Sequence, residues 1–193
     1  MTAAPTYHRL VDVTPEELRG RLTEALLLYV TAMGYPQSAA EQRMPMWLSH
    51  MLRSGWRCVL ALDSADGLVG IGYGYVGAAG QWWHEQVRSG LLRQAGQSIA
   101  DRWMADYFEL TELHVNPQAQ GYGLGERLLR RLLSEVRSAD VLLSTPEGPS
   151  RAWRLYRRMG FTDVLRRYRF AGDPRPFAVL GRSLPLEPPV PAR

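Results

Sequence analysis

The run Gln118-Ala119-Gln120-Gly121-Tyr122-Gly123-Leu124-Gly125 sits between a strand-like segment ending at Val115 and an amphipathic helix predicted to reach about Val136. Glycines at alternate positions let the backbone turn sharply and aim several N–H groups one way, and the helix behind them adds the positive end of its dipole. Such a turn is an anion site. A nucleoside-triphosphate loop would need G-K-[ST], and the chain has no lysine. A dinucleotide fingerprint would need G-x-G-x-x-G early in a repeated β-α-β series, whereas this loop comes late and in another order.

The elements that hold this loop can be read from local patterns. A first strand is expected over Tyr7 to Val13. Thr14-Pro15-Glu16-Glu17 is a capping box that opens a helix to about Met33, and Ser38-Ala39-Ala40-Glu41 repeats the box for a second helix ending near Arg53 and Gly55, kinked or delayed by Pro45. Trp56 to Asp63 and Leu68 to Gly77 read as an antiparallel hairpin. In its second strand Gly70, Gly72 and Gly74 alternate with Ile71, Tyr73 and Tyr75; close packing of a helix is the favoured explanation, a ligand face the other.

Residues 78–105 are the least patterned part: Trp83, Val87 and Leu91 suggest a helix that Gly90 and Gly96 interrupt. Trp82, Trp83 and His84 are candidates for an acceptor pocket, with core packing of the tryptophans equally consistent. Tyr107 to Val115 is the next strand. The helix after Gly125 places Leu124, Leu128, Leu132 and Val136 on one stripe, and Val141 to Ser144 completes a β-α-β crossover with parallel strands. Arg151 to Met159 is a helix stopped by Gly160, and Thr162 to Phe170 with Phe177 to Leu184 forms a last hairpin.

With 193 residues and 46% hydrophobic content, the expectation is one domain over 1–184 and a disordered proline-rich tail over 185–193. No apolar run approaches a signal peptide or a membrane span, which points to a soluble cytoplasmic protein without membrane partners. The one cysteine, Cys58, rules out an internal disulfide and disfavours a thiolate metal site. All 23 basic residues are arginine. Residues 1–125 carry 9 Arg against 12 Asp and Glu, and 126–193 carry 14 against 7, so an anionic ligand suits the later part and a cationic one the earlier. The later arginines fall at helical spacing without a compact run of interleaved aromatics, which argues against nucleic acid.

The loop, the preceding strand E-L-T-E-L-H-V-N-P and the downstream R-A-W-R-L-Y-R-R-M-G-F together resemble the GNAT superfamily of N-acetyltransferases. The family's [QR]-x-x-G-x-[GA] signature is matched by Gln120, Gly123 and Gly125, and its later Tyr-x-x-x-Gly-Phe by Tyr156, Gly160 and Phe161. The resemblance implies an α/β fold of the α+β mixed kind, a central, mostly antiparallel sheet of about six to seven strands flanked by helices. It implies acetyl-CoA as cosubstrate and no metal. The diphosphate would lie against Gln120, Gly121, Tyr122, Gly123, Leu124, Gly125 and Glu126, and the pantetheine arm along Leu113, His114 and Val115, with Ser150 and Trp153 also facing the cofactor.

Within that resemblance Tyr156 is the acid for the departing thiolate and the Val115 N–H the oxyanion donor. Deprotonating an amine of pKa about 10.4 asks for a base. Glu112 is favoured, with Glu109 second and His114 third, and Tyr73, Tyr75, Trp82 and Trp83 are the expected acceptor-facing aromatics. Cys58, expected on a strand remote from the loop, implies direct transfer to a primary amine rather than an acetyl-enzyme. Protein or peptide lysine is preferred slightly over a small amine such as an aminoglycoside or polyamine. A non-catalytic coenzyme-A-binding sensor is the reading from another class. The tryptophan-rich insertion makes a homodimer possible.

Overall fold

Thr14 opens the first helix as its local sequence demands. Its hydroxyl accepts from Glu17 N at 3.2 Å while the Glu17 carboxylate accepts from Thr14 N at 2.7 Å, a complete box ahead of Pro15. The expected single helix to Met33 is instead two, α1 (Pro15–Gly20) and α2 (Leu22–Met33). Arg21 breaks them, at φ −116° and ψ 14°, its guanidinium held by the Asp66 carbonyl at 2.7 Å and by Glu24 at 2.8 Å. Helix α3 (Ser38–His50) lacks the second capping box, because Gln37 at the cap already has helical dihedrals and makes no side-chain cap. Pro45 lies inside that helix.

The structure, a computed structural model, describes residues 8–187, so the expected tail falls largely outside the described residues. Among the described residues, β1 (Arg9–Val13), β2 (Arg57–Leu62), β3 (Leu68–Val76), β4 (Tyr107–Val115), β5 (Asp140–Pro146), β6 (Thr162–Tyr168) and β7 (Phe177–Ser183) form one mixed, mostly antiparallel sheet in the order β1-β2-β3-β4-β5-β7-β6. The described chain divides into two units, 8–76 with 110–132 and 77–109 with 133–187, and strand β4 (Tyr107–Val115) contributes residues to each. No helix among the described residues is long and apolar enough to cross a membrane.

In the first unit, β1 (Arg9–Val13) pairs antiparallel with β2 (Arg57–Leu62), and β2 with β3 (Leu68–Val76), so that Val11, Leu60 and Ile71 lie side by side. One core packs Leu18, Leu26, Tyr29 and Trp47 from the helices against Cys58, Leu60, Ile71 and Tyr73. The alternate residues of β3 meet helix α6 (Leu124–Leu133). A Cβ on Gly70 would stand 2.9 Å from Leu128, and one on Gly72 3.1 Å from Leu113 and 3.7 Å from Leu132. At Gly70 and Gly72, then, the glycines of β3 serve helix packing.

In the second unit, Tyr107, Phe108 and Glu109 of β4 pair parallel with Asp140, Val141 and Leu142 of β5 (Asp140–Pro146), as a crossover requires. Antiparallel β7 (Phe177–Ser183) and β6 (Thr162–Tyr168) follow. Residues 78–105 resolve into α4 (Trp82–Gln94) and α5 (Gln97–Met104), separated at Gly96 with φ +88°. Gly90 does not interrupt α4; a Cβ there would come within 2.7 Å of Tyr168 and 2.8 Å of Leu165, so the glycine lets the helix lie on β6. Trp83, Val87, Leu91 and Met104 share a core with Tyr107, Leu142 and Val179. Helix α7 (Arg151–Arg158) closes as expected, Gly160 at φ +80° and Phe161 N bonding back to Tyr156 O at 3.0 Å.

Candidate active site

Strand β4 and the loop after it hold most of the candidate site residues of the first unit. Asn116 accepts from Gln118 N at 3.0 Å and starts a short 3-10 turn, Pro117–Ala119. Gln120 then turns its amide back, donating to the Val115 carbonyl at 2.9 Å. Gly121 and Gly123 have φ +95° and +74°, conformations that side-chain-bearing residues resist, and nothing lies within 4 Å of where their Cβ atoms would be. Both glycines therefore answer to backbone shape and leave the loop open on that side.

The first bond of α6 runs from Arg127 N to Gly123 O at 3.1 Å. The amides of Leu124 and Gly125 precede it and have no partner inside the helix, so they are placed to receive an anionic oxygen. Leu124 is buried and anchors the helix start, while Tyr122 stands 71% exposed. Glu126, the first-turn carboxylate, is engaged by Arg130 at 2.9 Å. This donor set fits a diphosphate, the anion that coenzyme A presents.

Two positions apart on β4, Glu112 and His114 meet on one side of the strand: His114 Nε2 and Glu112 Oε2 are 2.5 Å apart, with side chains only 10% and 13% exposed. Tyr29 of α2 closes on the imidazole edge-on, ring centroids 5.1 Å apart, and the Arg43 guanidinium lies over Tyr29. His50 at the end of α3 shares a 3.0 Å hydrogen bond with the Tyr73 hydroxyl and packs against Tyr75. Burial pulls the His50 ring down to about 4; the Glu112 charge opposes this and Arg53 adds to it. His50 therefore stays neutral near pH 7. A histidine at a helix end carries no local mark of its partner, so the sequence alone does not reveal this pairing.

The other expected residues occupy varied places. Tyr73 and Tyr75 are buried in the first unit, Tyr73 between Trp47 and Trp56. Cys58 is buried opposite Tyr73 on β2, and burial drives its thiol well above the ordinary range. In the second unit, Glu109 is buried opposite Leu142. Trp83 is a core residue donating to Ser144 Oγ at 3.1 Å, whereas Trp82 remains 55% exposed beside Phe170. His84 bonds the Tyr107 hydroxyl at 3.0 Å, and burial lowers its pKa. Ser150 caps α7 by accepting from Trp153 N at 3.0 Å, and the Trp153 indole is flanked by Arg157 and Arg166. Tyr156 is buried on α7, its ring 5.5 Å from that of Phe161.

Residues 55–163 match the family model described as an acetyltransferase (GNAT) domain. A GCN5-like protein acetyltransferase of Mycobacterium tuberculosis is 50% identical over 202 residues, covering 92% of this chain and 98% of that protein. Among solved structures, a GNAT-family acetyltransferase of Desulfovibrio desulfuricans superposes with a TM-score of 0.61 at 16% identity, covering 92% of this chain and 99% of its own. The ribosomal-protein-S18-alanine N-acetyltransferase of Escherichia coli gives 0.61 at 14% identity, covering 92% and 94%. The last two likenesses speak for the fold. With its glycine loop, its sheet order and these matches in agreement, the chain belongs to the GNAT family of acetyltransferases and is an acyltransferase.

Proposed function

We propose that the protein is an acetyl-CoA-dependent N-acetyltransferase that moves the acetyl group directly to a primary amine, with protein or peptide lysine as the acceptor class. The observation that supports this reading is the loop at the start of α6, where two positive-φ glycines and the Leu124 and Gly125 amides leave an open turn of the kind that suits a diphosphate. The half-identical relative named a protein acetyltransferase supports the choice of acceptor.

In this reading Gln120, Gly121, Tyr122, Gly123, Leu124, Gly125 and Glu126 hold the cosubstrate's diphosphate, and the backbone of Leu113, His114 and Val115 binds its pantetheine arm. Ser150 and Trp153 complete the cofactor side. Glu112 takes one proton from the ammonium and passes it to solvent, which frees the nitrogen lone pair to attack the thioester carbon. Val115 N–H stabilises the oxyanion. As the C–S bond breaks, Tyr156 gives its phenolic proton to sulfur and recovers one from the nitrogen, so the cycle releases an amide, a thiol and one proton. Glu109 is the alternative base, and Trp82 with its open indole is the aromatic that faces an acceptor most readily.

Thiol release from acetyl-CoA with a panel of lysine peptides, terminal amines, aminoglycosides and polyamines tests the proposal. Tyr156→Phe should lower kcat by at least tenfold and leave coenzyme A binding in place. Binding of coenzyme A without turnover on any amine would replace this reading with the sensor module.

A further inference from the structure

We infer that His114 is a positioning residue for the base, fixing the Glu112 carboxylate by donating its Nε2–H to Oε2 and so leaving Oε1 for the incoming ammonium. The inference rests on the reading of Glu112 as base. An ionised carboxylate only accepts, so the proton in this 2.5 Å contact belongs to the imidazole nitrogen. Tyr29, packed edge-on against the ring, holds the imidazole plane, and the shallow exposure of both side chains keeps water from competing for the bond.

The choice of partner is unusual for this chain. Asp12, Glu24, Glu126, Asp163 and Asp173 all take arginine. A guanidinium brings a permanent positive charge and several donors, and so stabilises the negative form strongly. One imidazole N–H orients the group through a single oxygen and leaves the other able to receive a proton. In a protein with 23 arginines, Glu112 is held instead by a histidine, through one carboxylate oxygen.

The role is separated from packing by comparing two variants with the wild-type protein. His114→Phe keeps a ring against Tyr29 but removes the donor; it should lower kcat about tenfold or more with KM for acetyl-CoA and for the peptide little changed. His114→Gln restores an N–H and should recover most of that loss. Unchanged turnover in His114→Phe, or a His114→Gln enzyme as slow as His114→Phe, would overturn the inference. A nitrogen-15 imidazole spectrum of the native protein tests the pairing independently of turnover and of either variant's folding: a proton on His114 Nε2, shifted by Glu112→Gln, supports it, and an Nε2 without a proton refutes it. Absence of acetyl transfer by the wild-type protein to every amine would instead remove the proposed function, with the spectrum still reporting on the pair.

Discussion

The Gln120 side chain donates to the carbonyl of Val115 across 2.9 Å, so the residue that opens the glycine loop also fastens the end of β4. One hydrogen bond of this kind contributes about 1 kcal/mol to stability. In a chain of this size that corresponds to a melting shift of about 2–4 °C. Gln120→Ala is expected to lose that much while raising KM for acetyl-CoA about tenfold, a disproportion readable from a thermal melt and a titration of cosubstrate. Equal KM values in the two proteins would show that the loop keeps its shape without the tie.

Gly77 supports a buried aromatic stack. A Cβ at this position would fall on the Tyr107 ring, which is fully buried and packed with Trp83 and His84. Overpacking of this type costs about 1–3 kcal/mol. Gly77→Ala should therefore move the urea midpoint down clearly, and a midpoint equal to that of the wild type would contradict the packing described for the second unit.

Cys58 gives a test of direct transfer. With its thiol buried and its pKa raised by burial, it is in no condition to form a thiolate or meet a thioester. Cys58→Ala is expected to retain kcat within about twofold, allowing for some loss of stability from the smaller side chain. Loss of transfer with coenzyme A binding intact would reinstate an acetyl-enzyme.

His50 makes stability depend on acidity. Its folded value of about 4 lies below its ordinary 6.5, so between those two values the unfolded chain binds a proton that the native state refuses. Stability is thus complete above pH 6.5 and declines as pH falls toward 4, with a slope of at most about 1.4 kcal/mol per pH unit. Urea unfolding of wild type and His50→Gln at pH 7 and pH 5 should show a smaller acid penalty in the variant. Parallel losses in both proteins would assign the sensitivity elsewhere.

Elements whose determinants are close in sequence were the legible ones. The Thr14 box, the β4 strand with the loop behind it, and the Gly160 stop each depend on residues within a few positions of one another. Where a distant partner decides, local reading fails. Gly90 looked like an interruption because its reason, the surfaces of Leu165 and Tyr168, lies far along the chain. The Ser38 box failed since the turn before it already follows helical dihedrals. Of the site, Glu112 and His114 were visible one at a time, but their pairing is a matter of rotamers, and His50 acquires meaning only when α3 brings it to Tyr73.

Because the protein's sole sulfhydryl is sealed beneath the helices of the first unit, a chromogenic disulfide reagent added to a reaction would colour with liberated coenzyme and leave the folded polypeptide dark. The same shielding turns slow modification of the intact protein into a clock, each labelled molecule recording one opening of that interior.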